Sequence, residues 1–209
     1  MRDVVVVGAG GHGREIYATL MARIADGEPM RVAGFVDDDP RHLERVDRLG
    51  QRLLGRIDWL IGHPGEYALG IGTSATRRAI VERLDAAGCE ALAVVHPGAH
   101  LGPDVRLGAG AVVFDRSTVT TNVEIGSHSH INVGCAVQHD SRLGDFVQMS
   151  PGVFVNGDCT IGDDVFLGTG AIVTRGCSVH SGARVGAGAV VMADVPAGVT
   201  VVGVPAVIV

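Results

Sequence analysis

The chain has 209 residues, a formal net charge of −6, 31 glycines and only 4% aromatic residues. That balance, with no Lys/Arg block, argues against nucleic acid or an anionic membrane as the main partner. Without rings for bulk, much of the interior has to be built from small and β-branched side chains.

Residues 4–7, all valine, predict a short buried strand, and they follow Met1-Arg2-Asp3 too closely for a signal peptide or a membrane span, so a cytoplasmic protein is expected. Gly8-Ala9-Gly10-Gly11-His12-Gly13 comes next, opening an amphipathic helix with Ile16, Leu20 and Ile24 on one face. A glycine turn between strand and helix lets backbone N–H groups approach a phosphate at the positive helix end. Residues 32–36 predict a second strand, running into Asp37-Asp38-Asp39. Residues 67–71 predict a third, followed by Gly72-Thr73-Ser74, a helix over 75–87 and a fourth strand over 91–95. Strands alternating with helices give a small parallel sheet whose ligand sits beyond the strand C-termini. An NAD site would place an acid about 20 residues beyond the glycines. Asp37 comes later, and so short a domain holds only one mononucleotide half. A single nucleotide therefore fits better than a dinucleotide, with a ligand-free structural turn as the alternative.

From Leu101 the pattern changes. Stepping by six gives Leu101, Leu107, Val113, Val119, Ile125, Ile131, Val137, Leu143, Met149, Val155, Ile161, Leu167, Val173, Val179, Val185 and Val191, all aliphatic or Met. Glycine often follows, as at Gly102, Gly108, Gly126, Gly144, Gly162, Gly168 and Gly186. A helix of 3.6 residues per turn would scatter these side chains around its axis. A solenoid that turns every sixth residue stacks them inward, with small residues at its corners. Cys89, Cys135, Cys159 and Cys177 have no CxxC spacing and read as buried, reduced thiols.

This repeat resembles the hexapeptide acyltransferase superfamily over roughly residues 95–205, including the exit segments Asp194-Val195-Pro196-Ala197-Gly198 and Gly203-Val204-Pro205-Ala206. The resemblance implies a left-handed β-helix in which residues 18 apart share a column, and a trimer with the acyl donor between neighbouring prisms. The unbroken hexads predict no long loop leaving the prism. With the Gly-x-Gly-Gly-His-Gly opening, Phe35-x-Asp37-Asp38 and Ile71-Gly72 added, the whole chain resembles the bacterial nucleotide-sugar acyltransferases. That group includes N-acetyltransferases of UDP- or GDP-linked 4-amino sugars and sialic acid O-acetyltransferase-like relatives. The expected fold is an α/β Rossmann-like nucleotide-binding domain, residues 1–94, followed by an all-β left-handed parallel β-helix of hexapeptide repeats, residues 95–209. By carry-over, Gly10, Gly11 and His12 would surround the diphosphate, Asp37 and Asp38 the base or ribose, and Gly72 would lie beneath the nucleotide.

Acyl transfer from a thioester needs a base at the attacking atom and a donor for the developing oxyanion. Imidazole suits the first task because its pKa lies near neutrality. Among nine histidines, His139 is the one followed by an acid, in Gln138-His139-Asp140-Ser141-Arg142-Leu143-Gly144. This resembles the family's catalytic stretch, which makes His139 the base and Asp140 the residue that raises its basicity. One coil on lies Gly157, the expected oxyanion or carbonyl donor. The column Pro151, Thr169, Ala187 would leave a shallow groove for the pantetheine arm of acetyl-coenzyme A. Thr169 and Ala187 match family positions that touch it, and Asn132 matches one near the reacting groups.

One departure is Gln148, where the family's best-studied type carries a second histidine against the acyl donor. Gln donates a hydrogen bond but does not titrate. The function expected is N-acetylation of a nucleotide-linked amino sugar by direct attack, with acetyl-coenzyme A as cosubstrate and no metal. Sugar O-acetylation and a non-catalytic nucleotide-binding scaffold are the alternatives. A zinc site of three converging histidines is not expected, because no two histidines stand 18 apart.

Overall fold

The computed structural model describes residues 1–209, with Pro40 described by its backbone alone. The chain divides into two compact units, Met1–Pro97 and Gly98–Val209. Leu92 and Ala93 are tied into the first unit: Arg23 Nη1 donates to Ala93 O at 3.0 Å, and Leu92 N to Tyr67 O at 2.8 Å.

The first unit is a five-stranded parallel sheet in the order β3-β2-β1-β4-β5. Its strands are β1 (Arg2–Val7), β2 (Met30–Val36), β3 (Leu53–Gly55), β4 (Glu66–Leu69) and β5 (Glu90–Ala91). Its helices are α1 (Gly11–Ala25), α2 (Leu43–Asp47), α3 (Ile57–Gly62) and α4 (Ser74–Ala86). Strand β1 is central, and its four valines are buried on both faces, which is why it reads as an unbroken apolar run. Val7 pairs with Val36 of β2 and with Leu69 of β4, so three strands end level and present their loops together. Helix α1 buries Ile16, Tyr17 and Leu20, while Ile24 is half-buried.

Three short elements, α2, β3 and α3, escape the sequence reading because none is long enough to show a period. The expected fourth strand over 91–95 is broken: β5 ends at Ala91, and Val94–Val95 forms a separate two-residue strand. Tertiary hydrogen bonding at Ala93 intervenes between the two.

The second unit is a left-handed parallel β-helix. Strand partners are 18 residues apart on each of its three faces: His130 with Gln148, Ala136 with Phe154, Arg142 with Thr160. From Val113 to Val191 every sixth residue is buried to within 3% exposure. Leu101 and Leu107, at the start of the stack, are only half-buried. Burying an aliphatic side chain of this size contributes about 1.5–3 kcal/mol, so the columns supply the unit's main stabilisation.

A second inward position, two residues before each aliphatic, takes Ala, Ser, Cys or Val. Ser117, Ser129 and Ser141 are buried there and fully hydrogen-bonded. Each hydroxyl donates to a carbonyl 15 residues on (Asn132, Gly144, Asn156; 2.7, 2.7 and 3.0 Å). Each accepts from an N–H 18 residues on (Cys135, Val147, Cys159; 3.3, 2.9 and 3.2 Å). The thiols of Cys135 and Cys159 repeat the first bond, to Ser150 O and Thr174 O. All four cysteines are free and buried.

From Leu101 to Val185, corners fall three residues after each inward aliphatic, in the left-handed backbone region. One corner carries Asp104, Asn122, Asp140, Asp158 and Gly176 in this conformation, another Gly134, Gly152, Gly170 and Gly188. Glycine accepts positive φ freely, and Asn and Asp tolerate it better than other residues.

Candidate active site

The strand Ala136–Val137 delivers the chain to the first of these corners. Val137 points inward, and Asp140, at φ 62°, turns the backbone into Arg142–Leu143. Corner hydrogen bonds fix the stacking: Asp140 N donates to Thr121 O at 3.2 Å, Asp158 N to His139 O at 2.8 Å, and Gly176 N to Gly157 O at 3.1 Å. His139 therefore lies between Thr121 and Gly157 in its column.

The His139 ring is about half-exposed, with Nδ1 2.7 Å from Asp140 Oδ2. A carboxylate accepts from N–H, so Nδ1 carries the proton and Nε2 keeps its lone pair free for a substrate. Against Nε2, one coil on, lies Gly157. A Cβ there would stand 2.5 Å from both His139 Nε2 and Cε1, so any larger residue would push the ring away. The Gly157 N–H donates to no acceptor among the described residues, and such an N–H suits a developing oxyanion.

Asp140 is held by two donors. The hydrogen bond from His139, then that from Asn122, keep its carboxyl below the usual carboxylate range against slight desolvation. Asn122 Nδ2 donates to Asp140 Oδ1 at 3.1 Å. Sequence reasoning missed Asn122, although the signal was present: it stands 18 residues before Asp140, in the same column.

The other predicted prism residues are dispersed. Asn132 Oδ1 accepts from Val133 N at 2.7 Å, a local turn bond. Gln148 is buried on an adjoining face, its Nε2 3.4 Å from Met149 O, and does not share the His139 corner. Pro151, Thr169 and Ala187 form an exposed column at the preceding edge, joined by bonds from Gly152 N to Val133 O, Gly170 N to Pro151 O, and Gly188 N to Thr169 O. Between that edge and His139 lies one face of the prism. Its outward row is Ala136, Phe154, Ile172 and Val190, with Phe154 45% exposed.

In the first unit the glycine loop is held by close backbone packing. Gly8 sits at φ 97°, a Cβ on Gly13 would lie 1.7 Å from Gly8 O, and one on Gly70 would lie 2.3 Å from Gly13 Cα. Gly10 is the N-cap of α1, while the spaces beside Gly11 and Gly72 are open. His12, in the first turn of α1, is largely buried with Nδ1 3.3 Å from Glu15 Oε2. Burial pushes its pKa below the ordinary imidazole value, with Glu15 opposing.

Asp37 and Asp38 have internal partners. Asp37 Oδ2 accepts from Ala9 N at 2.6 Å and Oδ1 from Asp39 N at 2.8 Å, which clamps the glycine loop. Asp38 Oδ1 accepts from Ile57 N at 3.0 Å at the start of α3. A residue not singled out from the sequence, Arg77, is fully buried in α4, its Nη1 donating to Ile71 O at 2.9 Å and Gly72 O at 3.3 Å. Its signal was an arginine in step with the buried Ile80, Val81 and Leu84.

Residues 3–84 match the PglD N-terminal domain, and residues 158–193 match the bacterial transferase hexapeptide (six repeats). The structure superposes on a mutant of perosamine N-acetyltransferase from Caulobacter crescentus in complex with CoA and GDP-perosamine. The TM-score is 0.90 and the identity 32%, over 99% of this chain and 96% of that one. Among curated relatives, UDP-N-acetylbacillosamine N-acetyltransferase from Bacillus subtilis (strain 168) is 28% identical over 54% of this chain. GDP-perosamine N-acetyltransferase from Escherichia coli O157:H7 is 30% identical over 65%. The matched regions span 52% and 61% of those two relatives' own lengths.

Proposed function

We propose that this chain, which belongs to the family of nucleotide-sugar N-acetyltransferases combining a PglD N-terminal domain with a hexapeptide β-helix, moves an acetyl group from acetyl-coenzyme A to the amine of a nucleotide-linked amino sugar. The carrying observation is His139 bonded to Asp140 at 2.7 Å and seated against Gly157. The amine attacks the thioester carbonyl while His139 Nε2 takes its proton. Gly157 N–H steadies the tetrahedral oxyanion, and its collapse expels the thiolate of coenzyme A, which is protonated as it leaves. No cysteine is placed to form an acyl-enzyme: Cys135 and Cys159 are buried in the prism interior.

The nucleotide is read as lying at the level ends of β1, β2 and β4, over Gly10, Gly11, His12 and Gly72. Asp37 and Asp38 shape that end by holding backbone, and a ribose or base contact would use their remaining lone pairs. Coenzyme A is assigned to the Pro151–Thr169–Ala187 edge, with Gln148 as a further contact and Asn132 read as lying near the reacting groups.

A homotrimer is supported by the prism itself. The base and the proposed acyl-donor edge flank an apolar face, so a copy packed on Phe154 and Ile172 would bring its edge toward His139. No described helix is long and apolar enough to cross a membrane, and action in the cytoplasm follows from where acetyl-coenzyme A is available.

The test is coenzyme A release over a panel of UDP-, GDP- and dTDP-linked 4-amino sugars and their 4-hydroxy counterparts. Turnover of an amino sugar supports the reading. Turnover of hydroxy sugars alone would replace it with O-acetylation. Silence across the panel, from protein that binds acetyl-coenzyme A, would reject it.

A further inference from the structure

We infer that Asn122 is a positioning residue for this site: its side-chain amide holds the Asp140 carboxylate in the rotamer that fixes His139 as the Nδ1–H tautomer. The inference rests on the acyl-transfer reading above and extends it one coil down the prism.

The geometry is a chain of directed bonds. Thr121 Oγ1 donates to Pro103 O at 3.0 Å, and Asn122 N donates to the same carbonyl at 3.2 Å, which fastens both residues to the coil below. Asn122 Nδ2 then donates to Asp140 Oδ1 at 3.1 Å, and Asp140 Oδ2 faces His139 Nδ1 at 2.7 Å. The two carboxylate oxygens therefore have separate tasks. An exposed Asp side chain rotates freely when only one oxygen is held; a second donor from a different coil leaves one arrangement.

Two features distinguish this from an incidental contact. Asn122 sits at φ 55° and Asp140 at φ 62°, so both backbones are locked in the same corner conformation and aim along one column. The next residue up that column is Asp158, which offers no donor, so the amide has to come from below. The surrounding charges do not substitute for it. Asp104, Arg106, Glu124 and Arg142 line the cavity shared with Asn122 and Asp140. There Glu124 faces both arginines, 3.7 Å from Arg106 and 3.8 Å from Arg142, while Asp104 lies 3.3 Å from Arg106. Arg175 acts on Asp140 only through space, and weakly. None of these donates a hydrogen bond to the Asp140 carboxylate among the described contacts.

The test uses Asn122→Gly, which keeps a residue content with positive φ while deleting the amide, and Asn122→Asp, which keeps the shape but replaces donor by acceptor. The first readout needs no substrate: ¹⁵N NMR of the imidazole at about pH 9, where an imidazole is neutral. Both variants should show a smaller Nδ1–H fraction at His139 with the fold intact. The second is kcat/KM, expected to fall about tenfold, the scale of one hydrogen bond to a charged group, mostly in kcat. Finally, Asn122→Gly placed on Asp140→Asn should cost little more, because its effect runs through Asp140. An unchanged tautomer in both variants overturns the inference, as does a full tenfold loss in the Asp140→Asn background. If wild type turns over no sugar, the acyl-transfer reading fails on its own, and the tautomer measurement still decides the role of Asn122.

Discussion

The two units position chemistry in opposite ways. In the prism, a corner built from strictly repeating coils sets His139 against Gly157, and sequence distance translates directly into space: 18 residues is one step along the axis. Where β1, β2 and β4 of the sheet end level, nothing repeats. Gly8 and Gly13 of the glycine loop meet Gly70 from beyond β4, and Asp37 reaches back 28 residues to hold Ala9 N. The repeat makes an exposed side chain precise without burying it, whereas the sheet end uses a half-buried carboxylate clamp to fix its loop.

The comparison breaks most easily at Gly157. Gly157→Ala would place a Cβ 2.5 Å from the imidazole, and the ring, being exposed, will move before the backbone does. We expect kcat/KM to fall about a hundredfold, the scale of losing oxyanion-site geometry, with the thermal midpoint nearly unchanged. A large loss of stability instead would mean that the corner is not rigid.

The sheet end should respond the other way. Asp37→Ala leaves the N–H groups of Ala9 and Asp39 without their carboxylate. It should lower stability by about 1–3 kcal/mol and weaken nucleotide-sugar binding, with kcat at saturation little altered. Denaturant unfolding and KM together check this.

A smaller effect sharpens the prism side. Asp140→Asn should reduce kcat/KM roughly tenfold, by the same hydrogen-bond scale. Because the Asp140 pKa is lowered in the fold, its ionised form is favoured natively. That preference is complete above the unfolded carboxylate value and is lost only as pH falls through the lower folded one. Between about pH 5 and 8 the acid limb of the wild-type rate profile therefore does not report Asp140. The smallest effect is at Cys135, whose thiol is pushed up to about 11 by burial. It should resist iodoacetamide at neutral pH in native protein and react on unfolding.

How much was legible in the sequence follows the same division. The hexad from Leu101 to Val191 marks the inward columns residue by residue, because a solenoid has only local geometry to specify. The His139–Asp140–Gly157 set could be located by counting. Asn122 could have been found the same way, since it stands 18 residues before the acid, in the column beside that of the base. In the first unit the strands at Val4–Val7 and Val32–Val36 were legible, yet α2, β3 and α3 were not, since elements of three to six residues carry no period. The internal bonds of Asp37 and Asp38 were hidden too: an acid after a strand looks alike whether it faces a ribose or a backbone N–H. Arg77 was legible only as a polar residue out of place on an apolar helix face.

The most direct test of the central claim is coenzyme A release by wild type and His139→Ala, on the amino sugar that the panel identifies, with acetyl-coenzyme A binding measured alongside by calorimetry. The account predicts unaltered binding and a rate reduced by about 10²–10⁴. Equal rates for the two proteins would contradict it, because the proton of the attacking amine would then leave by a route that does not involve His139.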